Sequence, residues 1–208
     1  MSTLAIFGRS SSHYTRCVRI FAHELGLAYR FESIADLLST NSADYAGNPA
    51  LRMPIVVSDA GAWYGALNGC RELARCVGRG RELVWPEELS ERIAANAQEL
   101  VSQGMASEVT WIMGSLGAPA SGSVYAVKNK LSIENSLAWL EQHASHALGQ
   151  LRADRVLSFL EVSLFCFITH LRFRAVLDLT NYRQLQAFCD AFAKRDSVRA
   201  TEYRFDAV

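Results

Sequence analysis

The first third of the chain is a series of short apolar runs interrupted by one amphipathic segment. Leu4–Phe7 is apolar throughout, and residues 28–34 alternate between apolar and polar side chains, which is typical of a half-buried strand. Between these runs apolar residues recur at helical spacing, and Gly26 stands where a helix C-cap is favoured. The pattern predicts a strand, a helix and a second strand, with the apolar stripe of the helix packed on a sheet.

Two further strands and a second helix are expected after a polar stretch. Pro54 leads directly into the apolar Ile55–Val57, residues 59–61 form a turn signal, and Ala62–Tyr64 completes a hairpin. A helix is expected from Leu67 to Cys76.

The remainder of the chain has helical periodicity. Its sharpest local signal is Ser158 three residues ahead of Glu161, the spacing of a capping box in which each side chain bonds the backbone amide of the other. Leu157 and Val162 have the spacing of the accompanying hydrophobic staple. The apolar stripes predicted for this part are Leu89, Ile93, Ala97 and Leu100, and, after a loop over residues 117–123, Val124, Val127, Leu131 and Ala138.

This change in periodicity divides the chain. Strand signals disappear beyond residue 80, so an α/β part is followed by an all-α part. We predict an α/β domain over residues 1–79, a linker over residues 80–88 and an all-helical domain over residues 89–208.

Composition and charge restrict the function. Lys plus Arg equals Asp plus Glu at 21 each, which removes the broad positive surface expected of a protein that binds nucleic acid or an anionic membrane. Small molecules and other proteins remain as partners. The most apolar late stretch, residues 156–173, contains Ser158, Glu161 and His170, so no membrane span is expected.

The expected location is the cytoplasm. The N-terminus lacks the long apolar core of a signal peptide, and the five cysteines contain no Cys-x-x-Cys pair, as suits a reducing compartment.

A serine-rich turn, "GRSSSHYT", precedes the first helix. Ser12 can be a simple N-cap, because serine side chains accept the unpaired amides of the first helical turn. The same hydroxyl, at the positive end of a helix dipole, can instead face an anionic ligand. The residues alone leave both interpretations open.

Three segments together resemble the soluble, cytosolic-type glutathione S-transferase family. They are "SHYTRCVRIFAHELGL", "NPALRMPIVV" and "VLSFLEVSLFC", and the likeness, to bacterial members, covers essentially the whole chain. The resemblance implies a thioredoxin-like N-terminal domain that binds glutathione as co-substrate, followed by an all-helical C-terminal domain. It also implies a homodimer that conjugates glutathione to a small apolar electrophile in detoxification.

The resemblance places the reactive position at the start of the first helix. Ser12 takes the first place of the family tetrapeptide, where helix amides and a hydroxyl donor can lower the thiol pKa from about 8.5. Tyr14 is the second predicted catalytic residue, and Ser10, Ser11 and Tyr14 compete with Ser12 for the reactive role. His13 replaces the usual proline, either as a proton carrier beside the thiol or as an exposed loop imidazole. Ser11 and His13 are also expected to contact glutathione. The charged residues of this helix, Arg16 and Arg19, are expected on its solvated face.

Two further positions of the family motif concern the peptide part of glutathione. Met53 and Pro54 match the family's cis-proline position, whose preceding residue offers its backbone N–H and C=O to the cysteinyl unit. Gly65 and Ala66 occupy the place of an acidic residue and a serine that hold the γ-glutamyl end, so this chain is an atypical member. Helix amides can still receive the carboxylate there, and Asn68 can substitute for part of the lost contact or be an ordinary helix residue.

In the helical half, Met105, Trp111 and Met113 either line a pocket for the electrophile or belong to the core. His143 and His146 are three residues apart on a predicted helix, but no third ligand accompanies them, so no metal site is expected.

Three functions follow in order of preference. The first is glutathione conjugation, in which Ser12 stabilises the thiolate. The alternative is a non-catalytic binding or assembly module of the same fold that has lost its γ-glutamyl clamp. A thiol–disulfide reductase fits poorly, because position 12 is serine where such enzymes need a nucleophilic cysteine.

Overall fold

The computed structural model describes residues 4–78, 82–116 and 124–207. Its contacts divide the chain into two units, one of residues up to Glu82 together with those from Phe192, the other of Leu83–Ala191. The first is an α/β unit and the second is mainly helical, so the predicted fold class is confirmed. No helix within the described residues is both long and apolar enough to cross a membrane.

The α/β unit is built on a four-stranded mixed sheet. The strands lie in the order Arg30–Ser33 (β2), Ala5–Gly8 (β1), Ile55–Ser58 (β3) and Gly61–Tyr64 (β4). Strands β1 and β2 are parallel, and the pairs β1/β3 and β3/β4 are antiparallel. The predicted order of strands and helices is confirmed. The elements are β1 (Ala5–Gly8), α1 (His13–Glu24), β2 (Arg30–Ser33), β3 (Ile55–Ser58), β4 (Gly61–Tyr64) and α2 (Ala66–Cys76), with a 3₁₀ turn at Ser42–Tyr45.

Helices α1 and α2 pack on each other and on the sheet. The close approach needs small residues at two points. A Cβ on Gly8 would lie 2.3 Å from Thr15 Oγ1, and one on Gly69 would lie 2.7 Å from Val56 Cγ2. Glycine at both positions therefore allows the two helices to lie directly against the strands.

Within its described residues, the second unit contains four helices and one short strand pair. Its elements are β5 (Leu83–Val84), a 3₁₀ turn at Pro86–Glu88, α3 (Arg92–Leu116), α4 (Val124–Gly149), β6 (Leu157–Ser158), α5 (Phe159–Arg174) and α6 (Arg183–Phe192). The strands β5 and β6 pair in parallel, although no strand was expected after residue 80. Two residues are too few to show alternation, and the partners come from distant parts of the chain.

The buried face of α4 differs from the predicted stripe. Val124, Val127 and Leu131 are exposed, at 85%, 52% and 49% of their surface. The buried apolar residues of α4 are Ile133, Leu137, Leu140, Ala144 and Ala147. Because α4 carries apolar residues on more than one face, only its packing on α3 decides which face is buried. The predicted loop over residues 117–123 lies outside the described residues.

The domain boundary also differs from the predicted one. Residues from Phe192 onward, including α7 (Asp196–Arg199), belong to the α/β unit rather than to the helical one. The reason is a set of polar contacts with α1, among them Arg195 Nη1 to Glu24 Oε2 at 3.0 Å and Ser197 Oγ to Glu24 Oε1 at 2.6 Å. Leu83–Val84 and the following 3₁₀ turn, predicted as linker, are part of the helical unit.

Candidate functional site

One edge of the sheet collects the predicted glutathione-site residues of the α/β unit. Phe7 at the end of β1 pairs with Ile55 at the start of β3, which in turn pairs with Tyr64 at the end of β4. The turn into α1, the Met53-Pro54 bond and the start of α2 each continue directly from one of these three strand ends. Sheet register therefore brings three distant sequence segments to the same edge.

Ser12 is the N-cap of α1. It has extended backbone, with φ −100° and ψ 128°, and its hydroxyl accepts a hydrogen bond from Thr15 N at 3.3 Å. The capping interpretation is thus confirmed. The side chain remains partly exposed, and no described residue accepts its hydroxyl proton. A donor is available at the positive end of a helix, and a catalytic role for Ser12 stays a prediction.

The competing hydroxyls are less accessible, except for one. Ser10 and Ser11 are buried, with 1% and 4% of their surface exposed. Tyr14, on the first turn of α1, is partly exposed. Accessibility therefore favours Ser12 and Tyr14 over the two preceding serines.

His13 is not an exposed loop imidazole, as one interpretation expected. It is the first residue of α1, and only 1% of its surface is exposed. The centroid of its ring lies 4.4 Å from that of the Tyr14 ring. The imidazole is therefore packed within the protein rather than open to solvent.

The two arginines of α1 are also buried, contrary to expectation. Arg16 and Arg19 expose 5% and 8% of their surface. Arg16 Nη2 donates to Val198 O at 3.2 Å, and its guanidinium lies 4.2 Å from the centre of the Tyr203 ring. Arg19 Nε donates to the Tyr29 hydroxyl at 3.2 Å. C-terminal residues thus contact Arg16, whereas residues around β2 contact Arg19.

The Met53-Pro54 peptide bond is cis, as the resemblance predicted. The preceding loop is held by Asn48, whose amide donates to Arg52 O at 2.6 Å and accepts from Ala50 N at 3.0 Å. Within the described residues, neither the N–H nor the C=O of Met53 bonds to another protein group. Both groups are therefore available to an extended ligand.

The start of α2 has no side-chain cap. Gly65 is the N-cap residue, with φ +83° and ψ 159°, and no side chain bonds to the first amides of the helix. Ala66 is buried, with 7% exposure. Asn68 Nδ2 donates to Tyr64 O at 3.2 Å, so its amide group already bonds to the end of β4.

The candidate residues of the helical unit are not assembled into one site. Met105 is buried in the core at 2% exposure, whereas Trp111 and Met113 are partly exposed. The His143 ring stacks on Trp139 at 4.2 Å, and His146 Nε2 lies 3.9 Å from Glu91 Oε2. The two histidines therefore have separate partners.

The capping box is formed as predicted. Ser158 Oγ accepts from Glu161 N at 3.0 Å, and Glu161 Oε2 accepts from Ser158 N at 3.1 Å. Sequence reasoning missed Arg155, whose guanidinium binds both oxygens of Glu161 at 2.6 and 3.0 Å. The role of the box is structural.

A buried acid–base pair was also missed. Glu108 on α3 and His170 on α5 are almost fully buried, with His170 Nδ1 2.7 Å from Glu108 Oε1. Burial raises the pKa of Glu108, an effect that the hydrogen bond and charge of His170 partly oppose. His170, a polar residue in the apolar stretch 156–173, was the signal that could have revealed this pair.

Asp206 was missed as well. Its Oδ2 accepts from Ser10 N at 2.8 Å and from Ser33 Oγ at 3.1 Å, beside the predicted reactive turn. Burial raises the pKa of Asp206, but hydrogen bonds from Ser10 and Ser33 and the charge of Arg9 together hold it below its usual value. Nothing local distinguishes this residue in the sequence.

Comparisons with known proteins identify the fold. No protein-family model matches the sequence, and no curated protein is significantly similar to it. A glutathione S-transferase from Methylobacillus flagellatus, solved with glutathione bound, is 18% identical with a TM-score of 0.74, over 97% of this chain and 100% of that one. A glutathione S-transferase from Methylobacterium radiotolerans, in complex with glutathione sulfonate, is 18% identical with a TM-score of 0.74, over 99% and 97%. A glutathione transferase family member from Pseudomonas fluorescens, with bound glutathione, is 19% identical with a TM-score of 0.72, over 97% and 99%.

These likenesses extend over nearly the full length of each chain. The protein therefore has the glutathione S-transferase fold that the resemblance implied.

Proposed function

We propose that this protein is a glutathione transferase-like enzyme that conjugates the glutathione thiolate to a small apolar electrophile. The observation that carries the proposal is the shared sheet edge, where the Ser12 cap, the Met53 backbone and the start of α2 meet. Structures with this fold from three bacteria hold glutathione or its sulfonate. Sites that bind such a ligand need an anion-stabilising end for the sulfur and backbone groups for the peptide.

Ser12 stabilises the thiolate in this proposal. The hydroxyl of the partly exposed Ser12 donates to the sulfur, and the N-terminal end of the α1 dipole adds a positive potential. A charge-assisted hydrogen bond is worth about 1.5–3 kcal/mol, which lowers a thiol pKa by roughly one to two units. The thiol then ionises substantially near neutral pH.

Met53 holds the tripeptide through its backbone. Its N–H and C=O bond to no other described residue, so they can pair with the cysteinyl unit as one strand pairs with another. Ser11 and His13, which are buried on either side of Ser12, are the neighbouring residues proposed to contact glutathione. Trp111 and Met113, partly exposed on α3, are the candidates to contact the electrophile.

One observation favours the alternative of a non-catalytic binding or assembly module. The γ-glutamyl position carries Gly65 and Ala66, so neither an acidic side chain nor a hydroxyl is present there. The uncapped amides of α2 are what remains to bind a carboxylate. Loss of a charged hydrogen bond, worth about 1.5–3 kcal/mol, weakens glutathione binding by roughly ten- to a hundredfold.

Calorimetric titration with glutathione separates the two functions. A dissociation constant tighter than about 1 mM, equivalent to roughly 4.1 kcal/mol, supports the enzyme. No heat at high glutathione concentration, together with no turnover of apolar electrophiles, supports the module instead.

Ala66→Ser tests the position of the γ-glutamyl end. The new hydroxyl should tighten glutathione binding by about tenfold, the effect of one hydrogen bond to a charged group. Ala74→Ser, a second buried alanine on the same helix but away from its start, should leave the affinity unchanged. Gly65→Glu is unsuitable, because its φ of +83° strains any residue with a Cβ. Equal affinity of both serine variants would place the γ-glutamyl end elsewhere.

We further propose that the protein is a cytoplasmic homodimer that acts in detoxification. The absence of a charge excess and the five free cysteines are consistent with a small-molecule enzyme in a reducing compartment. Light scattering at micromolar concentration tests the dimer, and a monomeric mass would reject it.

A further inference from the structure

The C-terminal segment, residues 195–207, runs along α1 within the α/β unit. At one end Arg195 and Ser197 bond to Glu24 in the last turn of α1. Near the middle, Val198 and Tyr203 contact the Arg16 guanidinium. The segment therefore runs antiparallel to the helix, toward the turn that precedes it.

At the other end of this path lies Asp206. Its Oδ2 receives both the Ser10 amide at 2.8 Å and the Ser33 hydroxyl at 3.1 Å, and the side chain retains 9% exposure. Ser10 belongs to the turn into α1, and Ser33 is the last residue of β2. One carboxylate oxygen thus joins the turn to the neighbouring strand.

The same turn is held from two further directions. Ser12 N donates to Arg9 O at 3.0 Å, which closes the turn, and Arg9 Nη1 donates to Ile34 O at 2.8 Å. Because Ser12 is two residues from Ser10, any shift of the Ser10 amide changes where the Ser12 hydroxyl points. Hydroxyl direction matters here, since charge-assisted hydrogen bonds weaken steeply when misaligned.

We infer that Asp206 is a positioning residue for the reactive turn: by binding the Ser10 amide and the Ser33 hydroxyl, it fixes the Ser12 hydroxyl against the glutathione sulfur. The effect on the sulfur rests on the proposed function. The hold on the turn does not, and it is measured separately.

Two substitutions separate geometry from charge. Asp206→Ala removes the acceptor altogether. Asp206→Asn keeps one acceptor oxygen, which is sufficient because both bonds go to the same atom, and it removes the charge together with the 4.0 Å ion pair between Oδ1 and Arg204 Nε. Asp196→Ala is the matched control, since Asp196 lies on the same segment but is exposed, and its side chain is ion-paired with the neighbouring Arg199.

The first measurement is amide hydrogen exchange at Ser10, without any ligand. Exchange should accelerate by at least about tenfold in Asp206→Ala, and it should remain near the unmodified rate in Asp206→Asn and Asp196→Ala. An unchanged Ser10 rate in Asp206→Ala overturns the inference, because the carboxylate then does not hold the turn.

The second measurement is the pH profile of glutathione conjugation. The apparent pKa of the bound thiol should be higher in Asp206→Ala than in Asp206→Asn, with activity near pH 7 about tenfold lower in the alanine variant and largely regained at alkaline pH. A uniform loss at every pH, or identical profiles for the two variants, overturns the positioning role. If the unmodified protein binds no glutathione, the proposed function fails along with that role, while Ser10 exchange still decides whether Asp206 holds the turn.

Discussion

Replacing Ser12 by alanine and by glycine separates the two roles of its hydroxyl. Alanine removes both the helix cap and the donor to the sulfur. Glycine also removes the hydroxyl, but it is itself a good N-cap, so it costs only a few tenths of a kcal/mol in helix stability, whereas loss of a serine cap to alanine costs about 0.5–2 kcal/mol. The alanine and glycine variants therefore differ in helix capping, but both lack the hydroxyl that donates to the sulfur.

The structure allows the loss of stability and the shift of the thiol pKa to be estimated separately. The capping bond from Thr15 N to Ser12 Oγ is 3.3 Å long, beyond the usual 2.9–3.0 Å or so, so Ser12→Ala should lower the free energy of unfolding by about 0.5–1 kcal/mol. Loss of the donor should raise the thiol pKa by roughly one to two units, from about 1.5–3 kcal/mol for a hydrogen bond to a charged group. Conjugation near pH 7 then falls by about eightfold to twenty-five-fold in both variants, because the thiolate fraction drops as the pKa returns toward about 8.5.

Two assays follow from this separation. Denaturant unfolding measures the cap, and it should rank the alanine variant below the glycine variant. The pH dependence of conjugation, together with the ultraviolet absorbance of bound thiolate, measures the donor, and it should show the same shift in both. Activity at about pH 9 should recover toward that of the unmodified protein, because the thiol, with an ordinary pKa of about 8.5, ionises there without help.

Either of two results would refute the reasoning. An unshifted pH profile in both variants makes Ser12 only a cap, and Tyr14, the other accessible hydroxyl of the turn, becomes the residue to replace. A shift in the alanine variant alone would mean that helix stability, rather than the hydroxyl, controls the thiol.

Three further predictions concern the fold. Gly104→Ala should destabilise the protein by about 1–3 kcal/mol through overpacking, because its Cβ would lie 2.5 Å from Phe167 Cζ. Gly114→Ala on the same helix would place its Cβ within 4 Å of no other atom, so it should stabilise the protein through higher helix propensity. Thermal unfolding measures the stability of both variants. Gly65→Ala should lower the denaturation midpoint, since φ +83° with ψ 159° is a conformation that costs a residue with a Cβ about 1–3 kcal/mol. Asp206 has a folded-state pKa below its unfolded value, so it contributes stability above about pH 4 that is lost as the pH falls through the folded pKa. Asp206→Asn should therefore reduce the pH dependence of the free energy of unfolding in that acid range. An unchanged pH dependence would contradict the assignment.

Much of the local structure could be predicted because its causes lie within a few residues. The Ser12 cap acts over three positions, as does the Ser158–Glu161 box, and each appears where the sequence indicated. The strand–helix order of the α/β unit likewise follows from periodicity and from the glycines that end its elements. The glutathione site was located by resemblance, and its assembly at one sheet edge follows from strand register.

Tertiary structure decided what depends on partners far along the chain. The Ser10 amide bonds to Asp206, 196 residues further along the chain, and Arg16 bonds to Val198, 182 residues further along. No local sequence pattern therefore predicts that these groups are buried. For the same reason the buried face of α4 could not be chosen from its sequence, because apolar residues on more than one face satisfy a helical period equally well. A sequence period specifies which residues share a face, whereas burial depends on which surface the rest of the chain brings against it.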